Sequence, residues 1–342
     1  MRTLADTDIR GLREGDWVAV AEIRNAIYPD SPTTAEEMRQ EMRRIDPTRF
    51  VHEWLVAEDR KTGAVAAYAL YHHLPWSYHP HKYRMRLAVH PDWEHRGIGR
   101  RLMDEVLAAL QARGAKRVKP SAREDRTRSI AFLQGYGFIE FARDFESRLS
   151  VERCDLSRFS GYADRVAASG IVLTTLEDEA KRDPNCLGAI YQAHCVLDIG
   201  APRDDPDLPT PPIFADFLAH EVHSPRALLD AFFLAKYEDC YVGESALKRS
   251  DADPALLHQQ LTGVVPEFRG KGIATALKLL TVAYAKRGGY REIRTWNSSR
   301  NAAMLAINGK LGFVRQPAWI EFQKVFSRGM SEAVVRRIDD HV

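Results

Sequence analysis

Long apolar runs, cysteine pairs and an excess of one charge sign are all missing from this chain. No hydrophobic stretch reaches the roughly 18 residues that a membrane span requires, although 45% of the 342 residues are hydrophobic. Cys154, Cys186, Cys195 and Cys240 form no CxxC pair, so neither a disulfide framework nor a zinc site is indicated. The 49 basic and 47 acidic residues leave a formal net charge of +2, without the clustered excess of Lys and Arg that marks a nucleic-acid surface. The opening segment MRTLADTDIRGLREGDW lacks the apolar core of a secretory signal. These deficits predict a cytoplasmic globular protein with no metal, nucleic-acid or membrane partner. Its length exceeds the size at which one hydrophobic core stops growing, which predicts two domains.

What is present is a repeat. VHPDWEHRGIGRRLM from Val89 aligns with VVPEFRGKGIATALK from Val264, pairing Pro91 with Pro266, Gly97 with Gly272, Ile98 with Ile273 and Leu102 with Leu277. The register continues through Gly114 and Gly289, Ala131 and Ala306, Gly137 and Gly312, and Phe138 and Phe313. An ungapped match of punctuating residues over this length reads as an internal duplication.

Both copies alternate strand and helix signals in the same order. In the first, strands are expected from Ile9, over Phe50 to Ala57, Ala64 to Tyr71, Arg84 to Val89 and Lys116 to Pro120, with a strand pair after Phe138. Helices are expected over Trp17 to Ala26, Thr34 to Ile45, Gly97 to Arg113 and Arg126 to Gly135. The second copy repeats the order from Ile171 to Val325. Leu156, Phe159, Tyr162 and Val166 fall at helical intervals and predict a linker helix ending at Gly170. The Pro- and Asp-rich stretch from Gly200 to Pro212 predicts a loop. The expected fold class is α/β, a mixed sheet flanked by helices, in two tandem domains over residues 1–152 and 170–342 with a linker over 153–169.

Each glycine loop joins a strand to a long helix. Unpaired backbone N–H groups and the helix dipole there favour an anion, and glycines admit close approach and positive φ. On charge alone, Arg96, Arg100 and Arg101 fit a solvated helix face as well as an anion site; their place beside Gly97 and Gly99 favours the anion. The pattern is neither GxGxxG nor GxxxxGK[ST], which argues against dinucleotide and P-loop folds.

RGKGIA (Arg269 to Ala274) resembles the acetyl-CoA loop [QR]-x-x-G-x-[GA] of the GNAT superfamily of N-acetyltransferases. TWNSSRNAAMLAINGKLGF (Thr295 to Phe313) resembles the last motif of that superfamily. In the first copy EHRGIG keeps both glycines but has Glu94 where Gln or Arg is usual, and REDRTRSIAFLQGYGF resembles the last motif. The similarity is strong in the second half of each copy and rests on pattern alone in the first halves, so two tandem GNAT-like domains are expected.

The resemblance implies acetyl-CoA as cofactor and a small-molecule or peptide primary amine as acceptor, attacking the thioester directly. It implies coenzyme contacts from Leu87, Ala88, Val89, Arg96, Gly97, Ile98, Gly99 and Arg100 in the first copy. In the second copy they come from Val264, Val265, Arg269, Gly270, Lys271, Gly272, Ile273, Ala274, Thr275, Asn297 and Asn301, the strand contacts beginning at Thr262. The tyrosine that many members carry four residues before the closing Gly-Phe is absent; Leu133 and Asn308 stand there. Candidate proton-transfer residues are Glu244, His258 and Glu321 in the second copy and Glu124 in the first, each also readable as an exposed or structurally paired group. Trp76, Tyr78 and the histidines His72, His73, His79 and His81 crowd one connection of the first copy, which reads as an aromatic hairpin or substrate wall rather than a metal site. Two alternatives to an enzyme active in the second copy remain: a non-catalytic coenzyme-binding or interaction module, and one catalytic domain beside one structural domain.

Overall fold

The computed structural model describes residues 6–43, 45–203 and 210–326. Its described residues form two compact units: residues up to 122, 126–140 and 321–326 in unit 1, and 123–125 and 141–320 in unit 2. Among the described residues no helix is long and apolar enough to cross a membrane.

Unit 1 contains β1 (Thr7–Gly11), α1 (Trp17–Ile27), α2 (Ala35–Arg43), β2 (His52–Asp59), β3 (Val65–His72), β4 (Lys82–Val89), α3 (Ile98–Ala112), β5 (Arg117–Arg123) and α4 (Thr127–Gly135). Unit 2 holds most of β6 (Ile139–Ser150), then α5 (Tyr162–Ala168), β7 (Ile171–Thr175), α6 (Leu176–Arg182), α7 (Cys186–Ile199), α8 (Phe214–Phe217), β8 (Ala227–Tyr237) and β9 (Cys240–Arg249). It continues with β10 (Leu256–Val264), α9 (Ile273–Arg287), β11 (Glu292–Ser298), α10 (Ala302–Leu311) and β12 (Val314–Arg315). The last strand, β13 (Trp319–Val325), gives Glu321 onward to unit 1.

Strand order is β1-β2-β3-β4-β5 in unit 1 and β6-β11-β10-β9-β8-β7 in unit 2. Each sheet is mixed: β4 with β5 and β10 with β11 are parallel, whereas β1–β4, β7–β10 and β6 with β11 pair antiparallel. Helices α1 and α2 bury Trp17, Val20, Ile23 and Met38 against Trp54, Val56, Tyr68 and Leu70. In unit 2, α9 packs Ile273, Ala276, Leu277 and Val282 on one sheet face. Leu176, Cys186, Ile190 and Phe217 pack against Phe232, Leu234 and Ala246 in a second cluster.

Compactness divides the chain differently from the repeat boundary near residue 152. The last strand of the first copy, β6, runs beside β11 from Ser150↔Glu292 to Asp144↔Ser298, so its residues from Phe141 onward belong to unit 2. Pairing along this whole length occupies an edge of β11 that would otherwise present unpaired N–H and C=O groups.

Local differences from the sequence expectation have identifiable causes. The strand pair expected after Phe138 is one 12-residue strand. The linker helix is split into a 3-10 turn, Leu156–Phe159, and α5, with Gly161 at φ 81° between them. Helix α6 is absent from the sequence reading, yet Thr175 caps it by accepting from the Asp178 N–H at 3.1 Å, an N-cap signature legible in the sequence. Of the loop from Gly200 to Pro212, residues 204–209 lie outside the described residues, as does the side chain of Trp76.

One buried charge carrier stands out in α9. Lys278 is fully buried, its Nζ has no hydrogen-bond partner, and burial alone pushes it down to about 7. The matching residue of unit 1 is the fully buried Met103. Because the unfolded chain retains this proton at higher pH than the folded chain, the group penalises folding below its unfolded pKa, and the penalty shrinks as pH rises from 7 towards 10. Lys278→Met is therefore expected to raise stability at pH 7 by about 1–4 kcal/mol. Urea unfolding should show that advantage shrinking towards pH 10; an advantage that does not change with pH contradicts the assignment.

Candidate active site

In both units the central parallel strands pair only briefly and then part. β4 and β5 are in register from Lys82↔Arg117 to Met85↔Pro120, after which β4 runs on to Val89 and β5 to Arg123. Pro120 has no N–H to donate, which ends the ladder there. In unit 2 the pairing stops at His258↔Arg294, while β10 continues to Val264 and β11 to Ser298. Beyond those points the facing edges of the two strands are open, each strand being paired on its other side. An open gap between two strand edges offers backbone donors and acceptors to an extended ligand, as in strand addition.

β10 also carries a bulge between Gln259 and Thr262, whereas β3 and β4 pair without interruption from Ala67↔Val89 to His72↔Arg84. The extra residue changes the match between copies. Val264 corresponds to Val89, but before the bulge Leu256 takes the place of Lys82. Bulges re-aim the strand beyond them, here the segment from Thr262 to Val264.

Above each gap sits a glycine loop of the same conformation. Gly97 at φ 78° and Gly272 at φ 82° are the N-caps of α3 and α9. Two residues earlier, Gly270 at φ 79° corresponds to His95 at φ 62°, a left-handed backbone that only glycine adopts without cost. Arg96 stacks on Trp93 and Lys271 on Phe268, each cation 4.7 Å from the ring centroid. The two loops therefore hold a cation at the same position through the same contact. In unit 1, Arg128 pairs with Glu94 at 2.9 Å. In unit 2, Arg269 Nε donates to the Val264 carbonyl at 3.0 Å, and a Cβ on Gly272 would meet the Tyr162 ring at 3.4 Å.

The gaps differ in what lines them. In unit 2, Thr281 Oγ1 lies 3.0 Å from Gln259 Oε1, Gln259 Nε2 donates to Ser245 Oγ at 3.1 Å, and Asn308 Nδ2 donates to Asn297 Oδ1 at 2.7 Å. Lys278 Nζ and Asn308 Oδ1 are buried without partners. The corresponding residues of unit 1, Met85, Met103, Val106, Ala122 and Leu133, are all buried and apolar. Burying polar groups costs free energy unless they are bonded, so the unit 2 gap is built at a stability cost that unit 1 avoids.

Beside the bulge, Glu244 on β9 stands opposite Gly263 on β10. It is 1% exposed, and His194 Nδ1 on α7 lies 2.8 Å from its Oε1; its Oε2 has no partner. One turn further along α7, Leu197 lies where a side chain on Gly263 would point, so α7 closes over this segment of β10. Burial pushes Glu244 above the ordinary carboxylate range, against the pull of His194. Burial also opposes a charged His194, but the Glu244 carboxylate outweighs it, and Glu221 and Asp198 add to the rise. A buried carboxylate that fixes one imidazole nitrogen leaves the other as the basic site. Sequence reasoning found Glu244 and missed His194, because no local spacing joins α7 to β9. The residue opposite Ala88 in unit 1 is Tyr68, packed in the apolar cluster there.

The remaining candidates are placed elsewhere. His258 lies on the last paired rung, and burial with Arg226 and Arg294 pushes it down to about 4. Glu321, in the second copy by sequence, packs in unit 1 and is ion-paired with Arg84. Glu124, in the first copy by sequence, packs in unit 2; it accepts from the Ala318 N–H at 2.8 Å and pairs with Arg143 at 3.3 Å. Asn301 caps α10, accepting from the Met304 N–H at 3.2 Å. The histidines near Tyr78 sit at the end of β4 opposite its glycine loop: His73 stacks on Tyr83 at 4.4 Å, and burial pushes His72 down to about 3. Among the described residues no group of three or more His, Cys, Asp or Glu is arranged to hold a metal.

With two parted strand pairs, two glycine loops and a duplicated order of elements, the chain belongs to the Acetyltransferase (GNAT) family, whose profile matches residues 17–138 and 199–313. It has the fold of a GCN5-related N-acetyltransferase from Sphaerobacter thermophilus, with a TM-score of 0.71 at 17% identity over 96% of this chain and 98% of that one. A tandem GNAT protein from the clavulanic acid biosynthesis pathway gives a TM-score of 0.71 at 20% identity over 94% and 99%. No curated protein matches the sequence. Family membership implies acetyl transfer dependent on an acyl-CoA, with small-molecule or peptide amines as acceptors.

The Glu244–His194 contact makes a direct prediction. His194 should titrate above the ordinary histidine value near 6.5 in an NMR pH series. Glu244→Gln removes the carboxylate that raises it and should move the midpoint below the wild-type value; an unchanged midpoint rules the contact out.

Proposed function

We propose that the protein is a cytoplasmic N-acetyltransferase that transfers the acetyl group of acetyl-CoA to a primary amine, with the chemistry in unit 2. The observation that carries this reading is the buried Glu244–His194 pair opposite Gly263, beside the bulge and the open gap of β10 and β11. Unit 1 shares the loop and the gap but has neither the bulge nor a matching pair. That difference favours a supporting role for unit 1, whether or not it holds coenzyme.

The residues of unit 2 fit the coenzyme. The loop amides of Gly270–Thr275 at the N-terminus of α9, with Lys271 beside them, suit a diphosphate. The open edge of Thr262–Val264 suits an extended amide-bearing arm, and Asn297 stands across the gap. Acetyl-CoA supplies the activated acetyl group. His194 accepts the proton that the attacking amine releases, and Glu244 is a positioning residue that fixes the imidazole and stabilises its charged form. The protein thereby aligns the reactants and moves the proton, the two contributions open to it in direct transfer.

Binding is tested by calorimetry with matched charge reversals. Lys271→Glu should weaken acetyl-CoA binding about tenfold or more, since a loop charge near a surface contributes on the order of 1–2 kcal/mol and reversal counts it twice. If Arg96→Glu abolishes binding and Lys271→Glu leaves it intact, the coenzyme is in unit 1 and the assignment of the chemistry fails. Chemistry is tested by CoA release across an amine panel. His194→Ala should lower kcat by about 100-fold or more. In Glu244→Gln the acid limb of the rate profile should move to lower pH, because the charge raising His194 is gone. Full activity in His194→Ala removes His194 as the proton acceptor, and binding with no CoA release for any amine favours a non-catalytic module.

A further inference from the structure

Lys278 on α9 stands level with the start of the unit 2 gap. Helix α9 connects two parallel strands and so runs antiparallel to them, with its N-terminus above their parted ends. Thr281 reaches Gln259, the first β10 residue beyond the last paired rung. Lys278 is one helical turn nearer the glycine loop, about 5 Å further along, which sets it beside the parted segments of β10 and β11. Its Nζ is 4.8 Å from the centroid of the Phe313 ring, with no hydrogen-bond partner, and the buried Asn308 Oδ1 also lacks one. An amine in this position is not a requirement of the fold, because Met103 fills the equivalent place in unit 1.

We propose that Lys278 is a self-acetylation site, modified by acetyl-CoA bound in the same gap. The inference rests on the functional reading above, in that the coenzyme must enter unit 2. The uncharged Nζ attacks the thioester carbonyl and forms a C–N bond. The C–S bond breaks, the thiolate of CoA leaves, and it takes up the proton that the nitrogen releases. The products are Nε-acetyl-lysine and CoA-SH, with no further reagent. Burial that pushes Lys278 down to about 7 leaves much of it neutral near pH 7, a fraction on the order of a thousandfold above that of an ordinary lysine. Acetylation also exchanges a buried amine that has no hydrogen-bond partner for a neutral amide, which costs less to bury than a charge. The modified side chain then occupies the gap, so the reaction is expected to be self-limiting and to lower acceptor turnover.

The test incubates the whole chain with acetyl-CoA and no acceptor, and follows peptides by mass spectrometry. Exposed Lys310 on α10 serves as the internal reference for non-enzymatic labelling. Lys278 is expected to acquire acetyl about tenfold or more faster than Lys310, and Lys271→Glu should reduce that rate in proportion to its loss of coenzyme binding. Calorimetry on the same samples separates the two possible failures. If acetyl-CoA binds in a Lys271-sensitive manner while Lys278 stays unmodified, or is labelled no faster than Lys310, self-acetylation is overturned and the functional reading survives. If no Lys271-sensitive binding occurs, the functional reading falls and self-acetylation falls with it.

Discussion

The parting of two parallel strands is the constraint on which the rest of this structure depends. A parallel ladder stays satisfied only while both strands remain in register. Here it ends after Met85↔Pro120 in one unit and after His258↔Arg294 in the other. From those rungs onward each unit has backbone edges with no strand between them. The connecting helices α3 and α9 begin above the gaps at Gly97 and Gly272, both in the left-handed region. One geometry thus places open strand edges, unpaired helix N–H groups and a ring-stacked cation within reach of the same extended, anionic ligand.

Duplication supplied this geometry twice, and the copies diverged in what they bury. Unit 1 fills its gap with Met85, Met103, Val106 and Leu133, which favours stability. Unit 2 buries Gln259, Lys278, Thr281 and Asn308 at the same positions and adds Glu244 beside the bulge, opposite Gly263. Buried polar atoms left without partners, such as Lys278 Nζ, Asn308 Oδ1 and Glu244 Oε2, are costly and concentrate where a protein acts rather than where it is held together. The positions equivalent to Lys278 and Asn308 in unit 1 are the apolar Met103 and Leu133, and this difference in what lines the gaps gives the asymmetry a physical meaning beyond the fuller loop signature of Arg269 to Ala274.

Much of this was legible in the sequence because it is local. The strand–glycine–helix junctions, the helical spacing of Ile98, Leu102 and Val106, and the constant register from Val89 to Phe138 all lie within short windows. The parts that were not legible depend on distant pairing. His194 meets Glu244 across 50 positions. The bulge in β10 is visible only against β9, and the strand exchange only in which residues pack together. For the same reason the packing of Glu321 in unit 1 and of Glu124 in unit 2 was not legible from their places in the two copies. Asn301 had a short-range explanation, the N-cap of α10, that competes with a ligand role at the same position.

The central claim is that coenzyme enters the polar gap of unit 2, and hydrogen exchange of backbone amides on adding acetyl-CoA tests it most directly. Protection is expected in the segment from Gln260 to Val264 and in the loop from Gly270 to Thr275. Protection confined to Leu87–Val89 and Gly97–Arg100, or absent from both loops, would contradict the account.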